Sequence, residues 1–260
     1  MTQLLHRTLT SFQSTGRIGR STLKQGLISW FGFAAIDFSA VDADSEHKTL
    51  SSWYPDYTAQ IPYRNEDDLL AILNTPIQKP VHLIDFPSQE TQSILRAFEH
   101  FGALKLFQEQ NSRLTLFIFT SDERAAMNSA HQIVTAFDSN ADYVLVRNPA
   151  RFTSRIFDES KLPALFKKLG AQTVDIPRIT GTTLDVLDAA SRRAKKSLTF
   201  REGEPLLEIG SKYELENWRN RLFAQFEDIA HLLLPSPDLI KQKVERPKQR
   251  KLAVVDPYDL

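Results

Sequence analysis

Two rhythms of apolar residues alternate along this chain. Short continuous runs predict buried strands, and stretches in which an apolar residue returns every third or fourth position predict amphipathic helices. A first strand over 9–12 leads into a glycine-bearing turn. Leu23, Leu27, Ile28 and Phe31 then mark a helix over 23–31 that Gly32 should end. Residues 33–36 and 39–41 bracket a second strand, and 69–73 read as a short helix. The clearest strand, 81–86, is stopped by Pro87. A helix over 92–107, a strand over 114–119, a helix over 125–137 and a strand over 143–146 follow. A short helix over 162–169, a last strand at 174–176 and a helix over 184–196 complete the series. This repeated alternation predicts an α/β fold built on a doubly wound, mostly parallel sheet.

Beyond Gly203 the character changes. A long C-terminal helix over 211–234 carries Leu215, Trp218, Leu222, Phe226, Ile229 and Leu233 on one face, suited to the outside of the sheet or to a partner. Residues 1–234 are expected to form one domain. Residues 235–260, rich in Lys and Arg, read as a flexible basic tail, with a docking peptide or a DNA-touching arm as the sharper alternatives.

Composition narrows the possibilities. Among 260 residues, 32 Lys and Arg balance 32 Asp and Glu, so no global field favours nucleic acid or an anionic membrane. Any such binding must come from a local patch, and Arg192, Arg193, Lys195 and Lys196 are the candidate for DNA. The absence of cysteine excludes disulfides, thiolate metal sites and a thiol nucleophile. No apolar run is long enough to span a membrane, and a cytoplasmic protein is the expectation. The histidines are scattered without ligand spacing, and His82, inside a strand, reads as a core residue.

The candidate chemistry begins at Ser14-Thr15-Gly16-Arg17-Ile18-Gly19-Arg20-Ser21-Thr22, between the first strand and first helix. Such a turn gathers free backbone N–H groups and the positive end of the helix dipole, which suits phosphate. Asp42-Ala43-Asp44 follows the second strand, where acids one residue apart point to opposite faces. Asp85 stands at the carboxyl end of its strand, the edge on which α/β sheets bind ligands.

Together with Val146-Arg147-Asn148 and Ile176-Pro177-Arg178, these stretches resemble the ParA/MinD family of deviant Walker-type P-loop ATPases, from about residue 8 to about 205. The resemblance implies ATP and Mg²⁺ as cofactors. It implies a nucleotide site at Gly16, Arg17, Ile18, Gly19, Arg20, Ser21, Thr22, Asn148 and Pro177. Ser21 and Asp85 would hold the metal, and Asp44 would position the attacking water. Against the family's K-G-G-x-G-K-[ST] loop, Gly16, Gly19 and Ser21 keep the pattern. Thr15 stands at the signature lysine, Arg17 at the second glycine and Arg20 at the phosphate-contacting lysine. Two functions follow. One is a ParA-like ATP-binding protein, with weak ATPase activity at most, that dimerises with nucleotide and positions DNA or another cargo. The other is a degenerate, non-hydrolysing scaffold or adaptor acting through protein contacts of its C-terminal helix and tail.

Overall fold

The computed structural model describes residues 5–244. Within them one seven-stranded sheet has the order β3-β2-β4-β1-β5-β6-β7, and every neighbouring pair is parallel. The strands are β1 (His6–Ser11), β2 (Phe38–Asp42), β3 (Thr58–Gln60), β4 (Val81–Asp85), β5 (Ser112–Phe119), β6 (Asp142–Arg147) and β7 (Gln172–Asp175). Helices cover both faces, which makes this the doubly wound sheet expected of a P-loop fold. On one face lie α1 (Arg20–Ala34), α9 (Gly181–Ala194) and α11 (Ile209–Asp228). The other carries α4 (Thr91–His100), α5 (Ala103–Glu109) and α6 (Arg124–Phe137). Between these run the shorter α2 (Thr49–Trp53), α3 (Asp68–Leu73), α7 (Arg155–Asp158), α8 (Leu162–Lys168), α10 (Phe200–Gly203) and α12 (Ala230–Leu233).

The most polar strand is central. Arg7, Thr8, Thr10 and Ser11 of β1 are all buried, and burial requires that their polar groups be paired. Thr8 and Ser112 share a hydroxyl contact at 2.9 Å, and Thr10 donates to the Ile84 carbonyl at 2.8 Å. The Arg7 guanidinium forms an ion pair with Asp142 and donates to the His231 carbonyl at 2.7 Å, tying β1 to β6 and α12. Arg113 grips the same carboxylate at 2.7 and 2.8 Å. His82 is buried as expected, with Nδ1 2.9 Å from the Ser39 hydroxyl, and burial pushes its imidazole down to about 4.

Several boundaries differ from the sequence expectation. Gly32 does not stop α1, which runs on through 33–34 and ends at Ala35 in the left-handed region, φ 54°. The predicted helix over 92–107 breaks at Gly102, whose φ of +58° lets α5 start afresh. The long C-terminal helix begins at Ile209, gives way at Ile229, and turns its apolar face onto α1. At their crossing a Cβ on Gly26 would fall 2.4 Å from Leu222 Cδ2. α11 also closes the sheet's edge: the Gln225 side chain accepts from the Asp175 N–H at 2.7 Å and donates to its carbonyl at 2.9 Å. Past Leu234 the chain stays on the body, with Lys241 N–H bound to the Ala34 carbonyl and Val244 buried. The rest of the expected basic tail, 245–260, lies outside the described residues.

Burial alone would raise the Asp142 carboxyl, but the hydrogen bonds and charges of Arg113 and Arg7 outweigh it and hold the group below the usual carboxylate range. A depressed folded pKa gives stability that is present above the unfolded pKa and lost as pH falls through the folded one. Asp142→Ala, which strands the buried Arg7, is therefore expected to cost about 3 kcal/mol in urea unfolding at pH 7. The gap from wild type should narrow as the pH is lowered below about 4.

Candidate functional site

The loop between β1 and α1 is held from below by side chains. Phe12 packs against Phe86 and Phe98 at centroid distances of 5.8 and 5.9 Å, and its carbonyl accepts from the Thr91 hydroxyl at 2.6 Å. The Gln13 amide, fully buried, donates to the carbonyls of Phe119 and Ala126 at 3.0 and 3.2 Å and accepts from the Phe119 N–H. Ser14 N–H reaches the Ser129 hydroxyl at 3.3 Å. Ile18 is buried in the same core cluster as Val174 and Ile176, and its carbonyl accepts from the buried Asn148 amide at 3.4 Å. Both loop ends are thus fixed.

The top of the loop is open. Arg17 stands exposed with φ 60°, and Gly16 is exposed with nothing near the place a Cβ would take. Gly19 adopts φ +112° immediately before α1. A Cβ there would meet Ile176 at 2.9 Å and the Asn148 amide at 3.0 Å, so glycine is required on two counts. Among the described residues, none of the backbone N–H groups of 15–22 makes a hydrogen bond within the protein. Free donors at the start of a long helix form a cradle for an anion.

Strand register sets Ser11, Asp85 and Asp42 side by side at the carboxyl edge. Their chemistry is turned inward. Asp85 is ion-paired with Lys24 of α1, and the two side chains are 6 % and 11 % exposed. Burial drives the Lys24 ammonium below its ordinary range, against the pull of Asp85. Asp42 accepts from the N–H and hydroxyl of Ser51 at 2.8 and 2.9 Å, which anchors α2. Burial raises its carboxyl, and the charge of Asp85 adds to the effect. Asp44 accepts from the N–H groups of Glu46 and His47, both at 2.9 Å, and so organises a tight turn. Arg20 donates to the Phe86 carbonyl at 3.2 Å and the Ser11 carbonyl at 3.5 Å, folding back over the strand ends.

The structure therefore gathers Gly16 to Thr22, Asn148 and Asp85 around one loop, with Asp44 at the end of the neighbouring strand. Ser21 is exposed in the first turn of α1, and among the described residues no hydrogen bond joins it to Asp85. Pro177 follows β7, and its carbonyl is taken by the Trp218 indole at 2.8 Å. Arg192, Arg193, Lys195 and Lys196 are exposed at the C-terminal end of α9, where cations complement the helix dipole. Lys196 is bound to Glu202 at 2.6 Å. The family's metal does not fit these residues. Asp85, one of the two residues that would hold it, is committed to Lys24.

Lys24 escapes the sequence reading. Its signal is a charge lying between Leu23 and Leu27 on the apolar stripe of the first helix, where a buried cation must have a partner.

No protein-family model matches the sequence, and no curated protein matches it. Among solved structures, the chain is similar to the MinD cell division protein of Aquifex aeolicus, with a TM-score of 0.45 and 11 % identity over 84 % of this chain and 97 % of that one. It is also similar to FlhF complexed with GTP and Mg²⁺, at 0.38 and 14 % over 68 % of each chain. The signal recognition particle receptor FtsY of Elizabethkingia anophelis scores 0.38 at 8 % identity, over 84 % of this chain and 66 % of that one. At such distances no site chemistry carries over, and the residues themselves decide.

Breaking the buried pair from one side strands a charge, whereas replacing both partners does not. Lys24→Met and Asp85→Leu are each expected to lose about 3 kcal/mol of unfolding free energy. The double variant should recover most of that loss in a denaturant double-mutant cycle.

Proposed function

We propose that this chain is a P-loop-type scaffold that holds a phosphate-bearing nucleotide on residues 15–22 without hydrolysing it, and works through protein contacts. The observation that carries this reading is the Asp44 carboxylate. The Oδ1 of the group that would orient an attacking water accepts from two turn amides, Glu46 and His47, which ties the carboxylate to its own turn. Arg20, at the position of the phosphate-contacting lysine, is likewise drawn to the Phe86 carbonyl. The free N–H groups of 15–22 remain suited to phosphate, and Asn148 is placed beside them with its amide oxygen available to a base.

A contact surface fits the same reading. The apolar face of α11 is spent on α1, but Leu206, Ile209 and Tyr213, on the approach to α11 and its first turn, stand 55 %, 74 % and 61 % exposed. Large apolar side chains grouped in this way mark association sites, and a second copy of the chain is the occupant we propose. The alternative of non-specific DNA binding and cargo segregation has less behind it. Lys196 is already paired with Glu202.

ATP binding by calorimetry and single-turnover hydrolysis with protein in excess test the first claim together. The expected result is binding with no phosphate released. Gly16→Asp has room for its side chain and puts a carboxylate in the cradle. It should weaken ATP by at least about tenfold, roughly 1.4 kcal/mol, with the melting temperature unchanged. In sedimentation velocity, Ile209→Asp combined with Tyr213→Ser is expected to convert a dimer into a monomer of unaltered stability.

A further inference from the structure

The charge set under the loop is already complete. Lys24 Nζ lies against Asp85, the field of Asp42 also acts on it, and Arg20 is close enough to repel it. Two cations thus face two carboxylates that strand register holds side by side. A dication placed on Asp85 would either expel Lys24 from its carboxylate, leaving an ammonium in the core, or add two positive charges to a balanced set. Low local dielectric opposes both.

We infer that Lys24 is a built-in cation that takes the place of a divalent metal at Asp85, so that the phosphate-bearing ligand on residues 15–22 is held without metal. This rests on the phosphate-holding loop proposed above. The ammonium neutralises the carboxylate that would otherwise repel the phosphates, and it does so at fixed position from within the helix that carries the cradle. Nothing needs to be recruited from solution.

Two measurements on the full chain test this. ATP affinity is measured by calorimetry in excess EDTA and in millimolar Mg²⁺. Equal affinities, within about twofold, are expected, and tightening of about tenfold or more by Mg²⁺ overturns the inference. In parallel, Mn²⁺ is titrated and followed by electron paramagnetic resonance. The wild type should take up no Mn²⁺ at millimolar concentration, and uptake at one site overturns the inference. Lys24→Ser, which removes the ammonium and leaves Asp42 and Asp85, should gain a bound Mn²⁺ signal. A folded Lys24→Ser that gains none also overturns it. The wild-type arms need no variant to fold. If ATP binds in neither buffer, the nucleotide reading of the loop fails, and the Mn²⁺ arm still decides the role of Lys24.

Discussion

An ammonium on the buried face of the first helix has to be met by a carboxylate, and that requirement organises the carboxyl edge of the sheet. Lys24 reaches Asp85, Asp85 is in register with Asp42, and Asp42 in turn fixes the start of α2 through Ser51. Each of these groups would be costly to bury alone. Together they satisfy one another, and a single charge network closes the core from α1 to α2.

The loop above that edge is built differently. Its stem is secured by Phe12 in an aromatic cluster, by the Gln13 amide bridging to β5 and α6, and by Ile18 in the opposite core. These contacts leave the crest free of internal hydrogen bonds. A rigid stem under unpaired donors is the preorganised arrangement that lowers the cost of binding an anion. The absence of Cβ at Gly19 lets Asn148 approach the loop, where its amide steadies the Ile18 carbonyl.

Much of this was legible in the sequence. The alternation of strand and helix gave the layered sheet, and the glycine turn and Asp85 marked the edge on which a site would lie. What escaped were matters of partnership. Asp44 closes a local turn on the amides two and three residues on, a pattern Asp commonly forms. That Arg20 would fold back onto Phe86, 66 residues away, depends on distant packing. β3 was also missed, because three residues between Pro55 and Pro62 carry too short a pattern to register as a strand. The polar β1 stands at the centre of a parallel sheet. It belongs there because Asp142, Ser112 and His231, far away in sequence, supply its partners.

The Gln225 amide at the rim of β7 has a wider meaning. By accepting from and donating to the Asp175 backbone, it imitates the peptide of a neighbouring strand at that residue. An open parallel edge is a growth point for strand addition and aggregation. Here the helix that seals one core also ends the sheet. Losing α11 by truncation or proteolysis would uncover an apolar face and an unpaired strand edge in the same step. At the β7 edge, protection against self-templating is thus carried by α11, and is secured only when that part of the chain has been made and folded back.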